Sequence, residues 1–258
     1  MTADNSTEDD SSSREFRQIL GIRFFLGDAR RAIAEIKGGG LLVVPAAPAL
    51  KDLPRDREYR EALLHADLAI TDSGMMVLVW NLLQRDHIRR LSGLAYFKEL
   101  AVEPEVCAPG GSFWIMAGEA SAAKNLNWLH KQGVPVSASD IYIAPFYGPV
   151  VVDEMLLERL RERPAKHVII TIGGGSQEKL GLYLKRNLGY RPSIHCVGAA
   201  IAFLSGDQVY IPQWADRLML GWVFRCISAP RRYMPRYWGA RRLFGLMRKY
   251  RERLPLEG

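Results

Sequence analysis

His167-Val-Ile-Ile-Thr-Ile-Gly-Gly-Gly-Ser-Gln-Glu-Lys179 is the stretch that decides the fold. His167 to Ile172 is a continuous apolar, β-branched run, the pattern of a strand buried on both faces. Three glycines stop it, and Gln177 to Leu188 then reads as a helix. Strand, tight turn and helix make half of a βαβ unit. Backbone N–H groups at a helix N-terminus, free of side chains, bind phosphate well, so the turn is also a candidate anion site. It is not a Walker A loop, because GxxxxGK[ST] is absent. It is not GxGxxG, and no acid ends a second strand about 20 residues on. On this feature alone, a glycine turn that merely joins strand to helix reads equally well.

The same alternation runs outward in both directions. Leu41-Leu42-Val43-Val44 is a buried-strand run closed by Pro45. Leu68-Ala69-Ile70-Thr71 ends at Asp72, Ser112 to Ala117 ends at Gly118, and Ile194 to Gly198 ends in a Gly-Ala-Ala turn. Helical patterns separate them at Asp28 to Ile36, Asp56 to His65, Met75 to Leu83, from Gly118 through Lys131, and Val152 to Glu162. Gln18 to Leu26 is a short apolar segment. The pattern predicts an α/β fold: a Rossmann-like, mostly parallel sheet with helices on both faces. The expected layout is an acidic, disordered tail at 1–15, a core at 16–214 and a basic helical C-terminal appendage at 215–258. In such sheets ligands sit outside the carboxyl ends of the strands. Three strand ends carry chemistry: Asp72, Gly173 to Glu178, and Gly198. Asp72 has two readings, a general base at the ligand edge or the N-cap of the helix after Met75. On position alone the cap is favoured.

The last fifth of the chain is unlike the rest. From Ala215 to Arg253 eleven Lys/Arg face only Asp216 and Glu252, a net +9 in a chain of +7 overall. Trp222, Phe224, Tyr233, Tyr237, Trp238, Phe244 and Tyr250 are interleaved with them. Such a segment suits a polyanion at an apolar boundary: an anionic membrane, a lipid diphosphate or a nucleic acid. Arg225, Arg231, Arg232 and Arg236 form a guanidinium cluster suited to phosphate. Pro230 and Pro235 are expected to limit regular helix there. From Trp238 to Glu252 an apolar stripe of Ala240, Leu243, Phe244, Met247 and Tyr250 opposes a basic face. That stripe fits a membrane interface, or else packing on the protein body or on another subunit.

Other signals exclude function classes. Cys107, Cys196 and Cys226 lack CxxC spacing, which argues against a disulfide framework or structural zinc and fits a reducing cytoplasm. The five histidines show no HxxxH pair. No secretory signal is visible. The apolar run Leu218 to Phe224 is far short of the roughly 20 residues needed to span a bilayer, so membrane contact would be peripheral. No nucleic-acid-binding motif accompanies the charge.

Taken in order, the pieces resemble a known family. They are Ala66-Asp67-Leu68 through Asp72-Ser73-Gly74, Arg90-Leu-Ser-Gly93, Gly173-Gly-Gly-Ser-Gln177-Glu178 and Val197-Gly198 through Phe203-Leu-Ser-Gly206. Pro212-Gln-Trp214, Leu220-Gly-Trp222-Val-Phe-Arg225, Pro230-Arg-Arg232 and Arg236-Tyr237 follow. Together they resemble the WecG/TagA/CpsF family of bacterial glycosyltransferases, over about Gln18 to Tyr237. The resemblance implies an inverting, metal-independent transfer, without a cofactor, from a UDP-sugar to a polyprenyl-diphosphate-linked saccharide. It implies a peripheral place at the cytoplasmic face of the membrane. It puts the base on Asp72, which reverses the preference for the cap. It puts the donor on Gly173, Gly174, Gly175, Gln177, Glu178, Gly198, Arg225, Arg232 and Arg236, the last by a shift of one from Pro235. Arg90 and Arg231 are expected at the acceptor. Pro45, Ala47, Ala95 and Ala202 stand where the family carries polar residues, and Ala229 where it carries Glu. They raise a second reading, a catalytically inactive, membrane-associated nucleotide-sugar or polyprenyl-phosphate binding protein of the same pathway. The apolar appendage also points to self-association away from the membrane. No nucleic-acid partner is expected.

Overall fold

The structure, a computed structural model, describes residues 15–208, 212, 214–215 and 221–258, apart from the side chain of Arg232. The expected tail up to residue 14, Arg217, the start of the apolar run at Leu218 and the guanidinium of Arg232 therefore lie outside the described residues. Eight strands form one sheet in the order β1-β2-β4-β3-β8-β7-β5-β6. They are β1 (Phe16–Ile19), β2 (Ile22–Phe25), β3 (Gly40–Val43), β4 (Leu68–Ile70), β5 (Ser112–Met116), β6 (Ile141–Ile143), β7 (His167–Ile170) and β8 (Ser193–Cys196). All pairs are parallel except β1 with β2. The segment read as merely apolar, Gln18 to Leu26, is that hairpin. Its turn residues Leu20 and Gly21 both have positive φ, 53° and 79°, the geometry that matches strand twist in two-residue hairpins.

Helices cover both faces. In chain order they are α1 (Ala29–Ile36), α2 (Ala47–Leu50), α3 (Arg57–Leu64), α4 (Gly74–Gln84), α5 (Gly93–Leu100), α6 (Glu119–Lys131), α7 (Glu154–Glu162), α8 (Ser176–Asn187), α9 (Ala200–Leu204), α10 (Gly221–Ser228), α11 (Pro230–Ala240) and α12 (Arg242–Tyr250). Asp28, Asp56, Ser73, Ser92 and Asp153 cap α1, α3, α4, α5 and α7 through their side-chain oxygens, which satisfies donors that a helix start leaves open. The continuous apolar runs are explained by the pleat. Leu41, Val43, Val168 and Ile170 point into one core, and Leu42, Val44 and Ile169 into the other.

The C-terminal helices are less separate than their composition implied. Ala240, Leu243 and Met247 are fully buried in the same core as Val43 and Ile170. The stripe of 238–252 therefore packs mainly on the protein body, the second of its two readings, with Phe244 left exposed. Helix α11 also runs through Pro235 where the prolines were expected to limit it. Pro230 sits in its first turn, where the missing N–H is no loss. Pro235 is exposed, so water can serve the carbonyl that its missing N–H leaves open.

Candidate active site

Register brings the strand ends level. Val43 pairs with Ala69 and with Cys196, Cys196 pairs with Ile170, and Ile170 pairs with Ile115. The segments that follow β4, β3, β8, β7 and β5 emerge side by side along one edge. They floor a cleft of about 1640 Å³, roofed by α10 and α11. That exceeds the ~300–1,000 Å³ typical for one small ligand, so the cleft has room for more than one.

Asp72 stands at the β4 end of this floor and lines the cleft. The competing cap role belongs to its neighbour: Ser73 Oγ accepts the Met76 N–H at 3.1 Å. The Asp72 carboxylate is held instead by the Gly93 N–H, 2.9 Å from Oδ1, and by Arg90 Nη2, 3.6 Å from the same oxygen. Arg90 Nε also donates to the Asp72 carbonyl at 2.6 Å. Thr71 fixes this arrangement by donating to the Arg89 carbonyl and accepting the Leu91 N–H, both at 2.9 Å. Gly93 has no room for a side chain, because a Cβ would lie 2.8 Å from Val44 Cγ1. The backbone of α5 can thus reach the carboxylate, and both contacts fall on Oδ1, which leaves Oδ2 without a partner among the described residues.

The glycine turn lies at the end of β7. Gly173 and Gly174 are exposed and line the cleft, whereas Gly175 and Glu178 are not part of its lining. Gly175 takes φ +97°, a conformation that L side chains rarely adopt. Glu178 is fully buried beneath the turn and accepts the Gly175 N–H at 2.7 Å and Gln177 Nε2 at 3.0 Å. Burial pushes its pKa up to about 7, against the hydrogen bonds from Gln177 and the backbone. Gln177 is buried and lines the cleft. Because Nε2 is committed to Glu178, Oε1 is left without a partner among the described residues, facing Gly198. An unpaired buried carbonyl oxygen at a cleft is an acceptor for a ligand hydroxyl or N–H.

Arg225 of α10 and Arg236 of α11 line the roof of the cleft. Arg225 Nη1 donates to Tyr237 at 3.2 Å, its guanidinium lies 4.7 Å from the Phe203 ring centre, and its Nε is buried without a partner among the described residues. Arg231 is exposed and is not part of the lining. Arg241, which the sequence pattern places on the basic face opposite the 238–252 stripe and not at the site, also lines the cleft and stacks 4.1 Å from the Trp238 ring centre. The guanidinium contacts depend on the Arg225-to-Tyr237 packing of α10 on α11, which local patterns do not reveal.

Ala47 and Ala202 line the cleft, while Pro45 and Ala95 are not part of its lining. Among the described residues no group of three His, Cys, Asp or Glu is placed to hold a metal ion, and no helix is long and apolar enough to cross a membrane. Residues 17–256 match the glycosyl transferase WecG/TagA/CpsF family. The chain belongs to that family. As a glycosyltransferase it uses a nucleotide-sugar donor and a saccharide acceptor, and its α/β fold is the one the sequence pattern predicts. No curated individual protein matches the chain.

Proposed function

We propose that this glycosyltransferase moves a sugar from a UDP-sugar to a polyprenyl-diphosphate-linked saccharide, with inversion and without a catalytic metal, in assembly of a bacterial cell-surface polysaccharide. The observation that carries the reading is Asp72, a carboxylate in the cleft relieved of capping by Ser73 and oriented by Gly93 and Arg90. Asp72 Oδ2 takes the proton of the acceptor hydroxyl. The freed oxygen attacks the anomeric carbon from the face opposite the nucleotide, and the bond from that carbon to the diphosphate oxygen breaks. One displacement inverts the centre. The negative charge that grows on the departing diphosphate is met by Arg225 and Arg236 from the roof, by Arg232, and by the backbone N–H groups of Gly173 and Gly174 from the floor. Gln177 Oε1 accepts a donor hydroxyl. Glu178 acts from below, holding Gln177 and the turn in shape. Arg90, already beside the base, and Arg231 serve the acceptor diphosphate.

A lipid-linked acceptor fits the cleft's rim. Leu78, Trp222, Ile227, Met234 and Trp238 all line the cleft and are all exposed. An apolar rim beside Arg236 and Arg241 suits the headgroup boundary of an anionic bilayer, where cations contribute about 1 kcal/mol each. With the stripe of α12 turned inward, this rim is the surface that would meet the membrane, peripherally and at the cytoplasmic face.

Asp72→Asn tests the base. Turnover of UDP-sugar and lipid-diphosphate acceptor should fall about 10²–10⁴-fold with the unfolding midpoint little changed. Near-normal turnover at saturating substrates would remove Asp72 from the chemistry. EDTA should leave activity intact; inhibition reversed by Mg²⁺ or Mn²⁺ would show that a metal is required.

A further inference from the structure

The far end of the cleft holds a second polar constellation that the reading above does not use. Beyond the glycine turn, at the β5 end, Ser121 and Asn125 of α6 line the cleft together with Asp207. Asp207 follows α9, and the chain folds back there because the Gln208 N–H donates to the Ala202 carbonyl at 2.9 Å. Ser121 Oγ donates to Asp207 Oδ2 at 2.8 Å, and Lys124 Nζ lies 3.0 Å from Oδ1. These contacts hold the Asp207 pKa below the usual carboxylate range, the Ser121 bond most of all. An ionised carboxylate has about four acceptor positions, so one partner on each oxygen leaves capacity on both. Asn125 is 2 % exposed and takes Ser205 Oγ on its Oδ1 at 2.7 Å. Its amide N–H groups are thereby the part left to serve the cleft.

An anionic group in this position cannot be meant for the donor diphosphate. Among the described residues that line the cleft, the cations are Arg90, Arg225, Arg236 and Arg241, which come from the β4 side and from the roof. A carboxylate that accepts through two oxygens, next to an amide that donates, matches two adjacent hydroxyl groups. We propose that Asp207, with Ser121 and Asn125, forms a subsite for a vicinal diol of the donor, and that this diol is the ribose of the nucleotide. The assignment rests on the nucleotide-sugar reading. A nucleotide sugar carries vicinal hydroxyls on both its ribose and its hexose, and position selects between them. Asp72 follows β4, while Ser121, which holds Asp207, lies on α6 after β5, and β3, β8 and β7 stand between those two strands. Four strand spacings make about 19 Å, room for an acceptor and anomeric carbon at one end, a diphosphate between, and a ribose at the other. The reacting sugar belongs beside Asp72, the diphosphate over the glycine turn, and the nucleoside at Asp207.

Calorimetric titration of the full chain with UDP and 2′-deoxy-UDP tests this. Wild-type protein should bind UDP about tenfold to a hundredfold more tightly than 2′-deoxy-UDP, the cost of one charge-assisted hydrogen bond. Asp207→Asn should weaken UDP by a similar factor and 2′-deoxy-UDP clearly less, because that nucleotide has already lost one of the two hydroxyls that the carboxylate receives. That coupling is one a merely structural role would not produce, since loss of structure weakens both nucleotides alike. Equal weakening of both, or of neither, would overturn the subsite. Unchanged UDP binding with weakened UDP-glucose binding would place the diol on the hexose and overturn the ribose assignment. Wild-type protein that binds neither UDP nor UDP-glucose would overturn the nucleotide-sugar reading itself, and the subsite with it.

Discussion

The floor and the roof of the cleft are built by opposite rules. Floor residues hang on strand ends whose register is fixed by the neighbouring strands, and each is held by short local bonds, as Asp72 is by Gly93 and Gln177 by Glu178. Roof residues ride on α10 and α11, where Arg225 leans on Phe203 and Tyr237 while Trp222, Ile227, Met234 and Trp238 stay exposed. The floor is shaped before substrate arrives. The roof is amphiphilic and waits for something apolar to complete it. The difference teaches that composition marks the roof as functional, while only packing shows which of its faces is free.

The largest way to break this contrast is at α12, which joins the roof's sequence to the core's packing. Leu243→Ala should cost about 2–5 kcal/mol of unfolding free energy, as large-to-small changes in cores do. Denaturant unfolding followed by tryptophan fluorescence would measure it. A variant as stable as the wild type would make α12 an independent appendage after all.

Next comes the rigidity of the floor. The raised pKa of Glu178, about 7 against 4.5 when exposed, has a definite sign. The native state holds its proton more tightly than the unfolded chain. Stability from this group is therefore present at low pH and declines as pH rises from about 4.5 to 7. The loss is of order 3 kcal/mol. Glu178→Gln, which keeps an acceptor for the Gly175 N–H, should flatten that part of the stability–pH curve. The same slope in both proteins would mean that the carboxyl is not isolated from water as its burial indicates.

Smaller still is the chemistry borrowed from the roof. Arg225→Gln should lower kcat about 10²-fold, near 2.7 kcal/mol, in a soluble acceptor-analogue assay. A change confined to KM would make Arg225 a binding residue rather than a stabiliser of the leaving diphosphate. The smallest effect belongs to the rim. Trp238→Ala should weaken sedimentation with phosphatidylglycerol vesicles by about 1 kcal/mol, with added salt weakening both proteins. If Trp238→Ala pellets as the wild type does, the membrane reading moves away from this rim.

Much of the floor was legible in the sequence. Apolar runs ending at Asp72, Gly173 and Gly198, separated by helical patterns, read as buried parallel strands, and the fold rule then places their ends at the ligand. The strand β6, Ile141-Tyr142-Ile143, escaped the sequence reading. Asp72 was ambiguous for a local reason. Asp and Ser both cap helices, and only the geometry shows that Ser73 takes the task. Asp207 gave no signal, since its partners Ser121 and Lys124 lie more than eighty residues away. The stripe of α12 was visible as a stripe, but water-avoiding side chains look the same in sequence whether lipid or protein covers them.

The far end of the chain carries one more consequence. The carbonyls of Arg251 and Glu252 accept the N–H groups of Leu20 and Gly21, both at 2.8 Å, and a Cβ on Gly21 would collide with Leu254. The hairpin turn, where Leu20 holds an unfavourable positive φ, is thus clasped from outside by residues more than 230 positions away. A protease that cut between Ala240 and Arg242 would not release what it cut. The piece from 242 onward would remain seated by its apolar side chains and by this clasp. The two fragments, made separately and mixed, should reassemble into one particle with its cleft intact.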